Sequence, residues 1–292
     1  MRRVLAAAFV VLATLVAAPP AAAPAERQAL RVHRTDVTWF DHSRSTAANA
    51  VTGEGTRPFR KVKVMFLVPE GPGPHPLVVW VHGVTGTGPA YEPVLRRWAE
   101  AGYAIAAPTM PLTSGAGAWS NLSDYRQQPG DVRFVIDRAT RGYPRVFDVE
   151  RIAVGGHSLG AITTIGTAYS SCCTDPRIDA AIEVAGVELP FPGGAFPIRP
   201  MPPVPLLAVH GAADRTVPVR GSDDLYAKAT GPAHYLRFPQ GGHSDVLTEA
   251  LFQQAVVAFL DRYLGGDGTA IGGMPAAVAG SGGRATWQQR GR

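Results

Sequence analysis

The sequence predicts an α/β fold, a mostly parallel central sheet with helices on both faces and no large lid domain. Three observations carry this expectation. Short continuous apolar runs recur, among them Leu77-Val78-Val79-Trp80-Val81 and Leu206-Leu207-Ala208-Val209, as strands buried on both faces require. Segments with helical spacing alternate with these runs, which is the order of a parallel sheet built from crossover units. Glycine-rich, polar stretches follow several runs directly, at the carboxyl ends where such sheets bind ligands.

The elements follow in order. Residues 26–60 form an N-terminal extension or first-strand region. Residues 62–68 alternate in polarity and predict an early strand, and 77–81 predict a buried one. Residues 91–101 place Val94, Leu95 and Trp98 on one helical face, and Gly102 ends the helix. Residues 103–107 are the next strand, stopped by Pro108. Residues 132–139 read as helix, and 152–154 as a short strand. Residues 159–169, rich in Ala, Ile and Thr, continue as helix. Residues 180–187, 206–209 and 235–238 are further strands, and 248–263 a closing amphipathic helix. With no internal repeat and no linker, residues 61–264 make one catalytic domain, an ordinary length for an α/β unit.

The two ends differ from the middle. Met1-Arg2-Arg3, an apolar run over 4–18 and small residues to Ala25 make residues 1–25 a secretory signal, cleaved after Ala25. The apolar stretch is short for a membrane span. No Cys lies near the cut to accept lipid, and the Arg pair alone does not establish twin-arginine export. Residues 265–292 are Gly- and Ala-rich with few large apolar side chains, so a disordered tail is expected. The formal net charge of +5 comes largely from these ends, through Arg2, Arg3, Arg284, Arg290 and Arg292. The middle is nearly neutral, which argues against a nucleic-acid partner. Cys172 and Cys173 are adjacent. They can stay free, close a strained ring with each other, or pair between chains, and they lack metal-ligand spacing.

The chemistry is concentrated after the strands. Gly155-Gly156-His157-Ser158-Leu159-Gly160 follows the strand at 152–154 and precedes a helix, the setting that G-x-S-x-G requires of a nucleophile elbow. Asp214 follows the run 206–209 in a Gly/Ala loop. His243 follows the run 235–238 and two glycines. The order Ser158, Asp214, His243 suits a serine nucleophile, a base that takes its proton, and an acid that fixes the base. Asp245 competes for the acid role but lies too close to His243, and Asp223 and Asp224 are assigned to capping the next helix. Main-chain donors for an oxyanion are expected at Leu159 and at Val84, with Thr85 as the alternative. The loop His82-Gly83-Val84-Thr85-Gly86-Thr87-Gly88 has neither Walker spacing nor G-x-G-x-x-G, so a nucleotide site is not expected. His157, His82 and His210 are read as structural.

His82-Gly83, Gly156-His157-Ser158-Leu159-Gly160, His210-Gly211-Ala212-Ala213-Asp214 and Gly242-His243 together resemble the α/β-hydrolase superfamily, over about residues 61–264. Within it the chain is similar to secreted bacterial members related to dienelactone hydrolases, chlorophyllases and platelet-activating-factor acetylhydrolases, and to cutinase-like esterases. Ser158 stands where true dienelactone hydrolases carry Cys. Val84 and Leu159 stand where bacterial cutinases usually carry an aromatic and a Met.

The resemblance implies an exported serine hydrolase that cleaves carboxylic esters through an acyl-enzyme, without cofactor or metal. Its partner would be a small-molecule or lipid-like ester, and it would act as a monomer with no transmembrane segment once mature. An acyltransferase or peptidase, a polyester hydrolase and a non-catalytic binding protein on the same fold are the alternatives. The interval 188–205 is too rich in Pro and Gly for a helical lid. An open cleft is therefore expected, bounded by Thr85, Trp119, Tyr125, Phe191 and Phe196, with Met201 nearby.

Overall fold

The structure, a computed structural model, describes residues 28–188, 196–198 and 201–291. The signal-peptide reading and Phe191 lie outside the described residues.

Among the described residues nine strands share one sheet. In chain order they are β1 (Val32–Asp41), β2 (Arg60–Pro69), β3 (His75–Val81), β4 (Ala104–Thr109), β5 (Phe147–His157), β6 (Ile178–Val184), β7 (Leu206–Gly211), β8 (Ala233–Phe238) and β9 (Thr286–Arg290). Their order across the sheet is β1-β2-β4-β3-β5-β6-β7-β8-β9. The six strands from β4 to β8 in that order are parallel, with antiparallel strands at both edges. The apolar runs read from the sequence are these central strands, and they are buried because helices cover both faces.

Six α-helices are described: α1 (Glu92–Glu100), α2 (Gln128–Gly142), α3 (Leu159–Tyr169), α4 (Arg220–Lys228), α5 (Ala250–Tyr263) and α6 (Met274–Ala279). Leu95 and Trp98 of α1, Phe252 and Phe259 of α5 and Met274 of α6 pack on one face, with Val78 and Trp80 of β3. Val135 and Ile136 of α2, Ile165 of α3 and Leu225 of α4 pack on the other, with Val79 and Val81. Successive residues of β3 thus feed opposite cores, as the pleat requires. Every residue of α3 is buried, which explains why its sequence is apolar all round. Among the described residues no helix is long and apolar enough to cross a membrane.

Connections from β3 run to β4 on one side and, after α2, to β5 on the other. The crevice above the carboxyl ends of β3 and β5 is therefore a topological switch point. The elbow sits there.

Two expectations need correction. The tail is not disordered: α6 packs Met274 and Val278 on the core, and β9 pairs antiparallel with β8 from Arg290 opposite Ala233 to Thr286 opposite Arg237. A low apolar content misled because Ile271, Met274 and Val278 all fall on one face, and β9 is held through its backbone, which composition does not report. The domain therefore extends past Leu264. Asp223 and Asp224 do not cap a helix; they lie inside α4, where Asp223 accepts the Tyr235 hydroxyl at 2.9 Å. Within 26–60, β1 is an edge strand whose exposed residues gave no apolar run.

Removing residues 270–292 would uncover β8 and the pockets of Ile271, Met274 and Val278. The expected loss is about 5 kcal/mol, or a Tm lower by about 10 °C or more. Calorimetry of the truncated chain checks this, and an unchanged Tm would contradict it.

Candidate functional site

The elbow is made by crowding. Ser158 joins β5 to α3 with φ 58° and ψ −119°, a conformation that L-residues rarely adopt. A methyl on Gly156 would strike the Gly160 carbonyl, and one on Gly160 would strike the carbonyls of Val81 and His82. Both positions therefore need glycine if α3 is to start this close to β3. The Ser158 N–H donates to the Val184 carbonyl at 2.9 Å, fastening the turn to β6. The Leu159 amide opens α3, where no intrahelical acceptor exists for it.

The loop after β3 lies beside the elbow, with Gly83 against Ser158. His82 pins it: Nδ1–H donates to the Gly83 carbonyl at 2.7 Å, while Nε2 accepts the Met110 N–H at 2.9 Å. Thr85 has φ 66°, and its N–H donates to the Thr113 carbonyl at 2.8 Å. Thr113 in turn accepts from Gln128 at 2.7 Å, and Gln128 accepts from Thr163 of α3 at 2.5 Å. The elbow helix and this loop are thus joined through buried side chains.

The structure brings Asp214 and His243 together. His243 Nδ1 lies 2.7 Å from Asp214 Oδ2. The other carboxylate oxygen accepts the N–H groups of Thr216 and Val217 at 2.7 and 2.9 Å. Burial alone would push the Asp214 carboxyl up. The hydrogen bonds from Val217, His243 and Thr216 outweigh it and hold the group below its usual range. The two loops approach because Gly211 at the end of β7 lies on the Gly241 and Gly242 carbonyls, where any side chain would collide. Asp245 instead accepts the Gly242 N–H at 3.0 Å, shaping the turn before His243.

His157 links this pair to the elbow. Its Nε2–H donates to the His243 carbonyl at 2.9 Å, and its Nδ1 accepts the Tyr91 hydroxyl at 2.8 Å. Tyr91 accepts the Gly83 N–H at 3.1 Å. The loop after β3, the elbow and the His243 loop are therefore fastened by one chain of three hydrogen bonds. Burial lowers His157 and His82 to about 4, so both stay neutral and keep these tautomers. The sequence reading of both as structural fits this arrangement, although it could not find Tyr91, whose partner is distant in the chain. His210, also read as packing, lies 3.2 Å from Asp214 Oδ2.

Tyr125, Leu159, Ile162 and Phe196 form a small apolar cluster, joined by Val84, Leu122, Cys173 and Val187. Tyr125 and Phe196 meet edge to face, with ring centroids 5.4 Å apart. Both are buried, so neither forms an exposed wall. Trp119 and Thr85 are exposed. Met201 belongs to the main core, away from this cluster. Cys172 and Cys173 are joined to each other by a disulfide.

Burial of His82 and His157 makes stability depend on acid. Each binds a proton near pH 6.5 when unfolded but only near 4 when folded. Between those values the unfolded chain holds more protons, so stability rises with pH and falls as acid is added. Full protonation is expected to cost about 3 kcal/mol per histidine. Denaturant unfolding between pH 6.5 and 4 should show this loss, and it should shrink in His157→Gln. A flat profile would contradict the assignment of neutral rings.

No protein-family model matches the chain. It is 30% identical over 227 residues, 75% of its length, to a protein of Nocardia uniformis named "Putative esterase NocK", and spans 62% of that protein. It is 33% identical over 70 residues, 23% of its length, to the uncharacterized protein YfhR of Salmonella typhimurium, and spans only 24% of it. Among solved structures it is similar to a ferulic acid esterase from Streptomyces cinnamoneus, with a TM-score of 0.65 and 20% identity. That match covers 84% of this chain and 93% of the other. Sheet order, elbow and structural likeness agree: the chain has the α/β-hydrolase fold.

Proposed function

We propose that this chain is an exported serine hydrolase that cleaves carboxylic esters through an acyl-enzyme. The observation that carries the reading is the 2.7 Å bond from His243 to a shielded Asp214 carboxylate, on a loop tied by His157 to the Ser158 elbow.

In this reading Ser158 attacks the ester carbonyl as His243 takes its proton through Nε2. Asp214 accepts from Nδ1, which fixes that tautomer and stabilises the imidazolium as it forms. The tetrahedral oxyanion is held by the amides of Leu159 and Val84. Val84 is preferred to Thr85 because the Thr85 N–H already serves the Thr113 carbonyl. The alcohol leaves with the His243 proton, and water, activated the same way, releases the acid.

The names of the Nocardia and Streptomyces proteins, both esterases in those names, support the reaction class. The apolar cluster of Tyr125, Leu159, Ile162 and Phe196 suits an uncharged acyl or aryl group beside the reacting carbon. Export is supported by the charged, apolar and small-residue order of residues 1–25 and by the Cys172–Cys173 disulfide.

A series of p-nitrophenyl esters tests the proposal. Ser158→Ala is expected to lower kcat by at least about 10⁴-fold with Tm retained, and Asp214→Asn by a comparable factor. Asp245→Asn should leave the rate within a few-fold. Retained turnover in Ser158→Ala would overturn the reading. Product analysis with added alcohol or amine separates hydrolysis from acyl transfer.

A further inference from the structure

On the side of Asp214 away from the solvent, hydrogen bonding continues into the core. His210 Nε2 lies 3.2 Å from Asp214 Oδ2 and 3.1 Å from the Val217 carbonyl. His210 Nδ1 lies 2.6 Å from Ser222 Oγ of α4. Ser222 Oγ lies 2.8 and 3.0 Å from the two carboxyl oxygens of Glu183, near the end of β6. Glu183, Ser222 and His210 are fully buried.

Counting protons fixes the direction of this chain. The Asp214 carboxylate and the Val217 carbonyl only accept, so His210 Nε2 carries the hydrogen. A neutral ring has one N–H, so Nδ1 accepts the Ser222 hydroxyl. Ser222 then has no hydrogen left for Glu183. Glu183 must donate instead, through Oε2–H to Ser222 Oγ, while its Oε1 accepts the Gly186 N–H.

We propose that Glu183, Ser222 and His210 are positioning residues, a chain in which a protonated Glu183 orients Ser222, Ser222 orients His210, and His210 restrains the Asp214 oxygen that serves His243. The inference rests on reading Asp214 and His243 as part of the catalytic machinery.

Moving the Glu183 proton to Ser222, and the Ser222 proton to His210 Nδ1, would yield a carboxylate and an imidazolium with the same net charge. Burial opposes that separation. It raises Glu183 to about 7 and lowers His210. The other groups facing Glu183 are the Tyr169 ring of α3 and the Tyr235 ring of β8, whose hydroxyl binds Asp223 of α4. Burial raises both tyrosines, so they remain neutral. Loss of the Glu183 proton above about pH 7 turns the Ser222 hydroxyl toward the new carboxylate and strips His210 Nδ1 of its donor. The restraint on Asp214 then weakens.

Three measurements test this. Imidazole ¹⁵N–¹H correlation spectra of the wild-type protein near pH 6 should show His210 neutral with its hydrogen on Nε2. A hydrogen on Nδ1, in a neutral ring or an imidazolium, would overturn the proposal. Ser222→Ala should lower kcat about tenfold with KM little changed, because the acid is misplaced and not the substrate. The wild-type kcat should decline above about pH 7. Glu183→Gln, whose amide donates to Ser222 at every pH, should abolish that decline.

An unaltered kcat in Ser222→Ala, or the same alkaline decline in Glu183→Gln, would overturn the proposal. If Ser158→Ala stays active, the catalytic reading itself fails. If Ser158→Ala is dead while Ser222→Ala matches wild type, only the positioning chain fails.

Discussion

The backbone of Gly160 lies against the carbonyls of Val81 and His82, and the rest of the site depends on that contact. It lets α3 begin directly above the end of β3. The only path from β5 into α3 is then a turn with Ser158 at positive φ. Such a conformation costs on the order of 1–3 kcal/mol and persists only where its surroundings over-determine it. Here β5 pairs on both sides, with β3 and β6, and α3 is buried along its whole length. The strain is held by packing that would exist without it.

Around that turn the loops are fastened by neutral groups. His82, His157 and Tyr91 each satisfy a main-chain partner on a neighbouring loop, at Met110, His243 and Gly83, and burial keeps the two imidazoles uncharged. This separates two jobs that one residue type performs at the same site. His82 and His157 set backbone positions. His243, partly open to solvent, sits on the Asp214 carboxylate. The wall segment at 119–127 is anchored differently, by the buried Arg60 guanidinium between Asp124 and Asp131. Removing either carboxylate would leave two guanidinium hydrogen bonds of the buried Arg60 without an acceptor, while the other carboxylate still balances its charge.

Much of this was legible in the sequence. The central strands announced themselves as apolar runs because both of their faces are covered. Ser158, Asp214 and His243 stood out because each follows such a run in a loop with small residues. What stayed hidden has a common physical cause. β1 and β9 are edge strands whose side chains are mostly exposed, with Trp39 and Trp287 among the exceptions, so they leave no apolar run. Tyr91, Gln128, Glu183 and Arg60 act through partners far along the chain, and no local spacing betrays them. Tyr125 and Phe196 are buried against Leu159 and Ile162 of α3, and nothing in their local spacing shows that.

The central claim is that Ser158 is a nucleophile activated by the Asp214–His243 pair. A p-nitrophenyl alkylphosphonate tests it most directly, since the serine oxygen attacks phosphorus, p-nitrophenolate leaves, and the phosphonylated serine records the attack itself. Intact-protein and peptide mass spectrometry should find one adduct per chain, on the peptide containing Ser158, formed at least about a hundredfold more slowly in His243→Ala. No adduct, an adduct on another residue, or labelling of Ser158 at an undiminished rate without His243 would contradict the account.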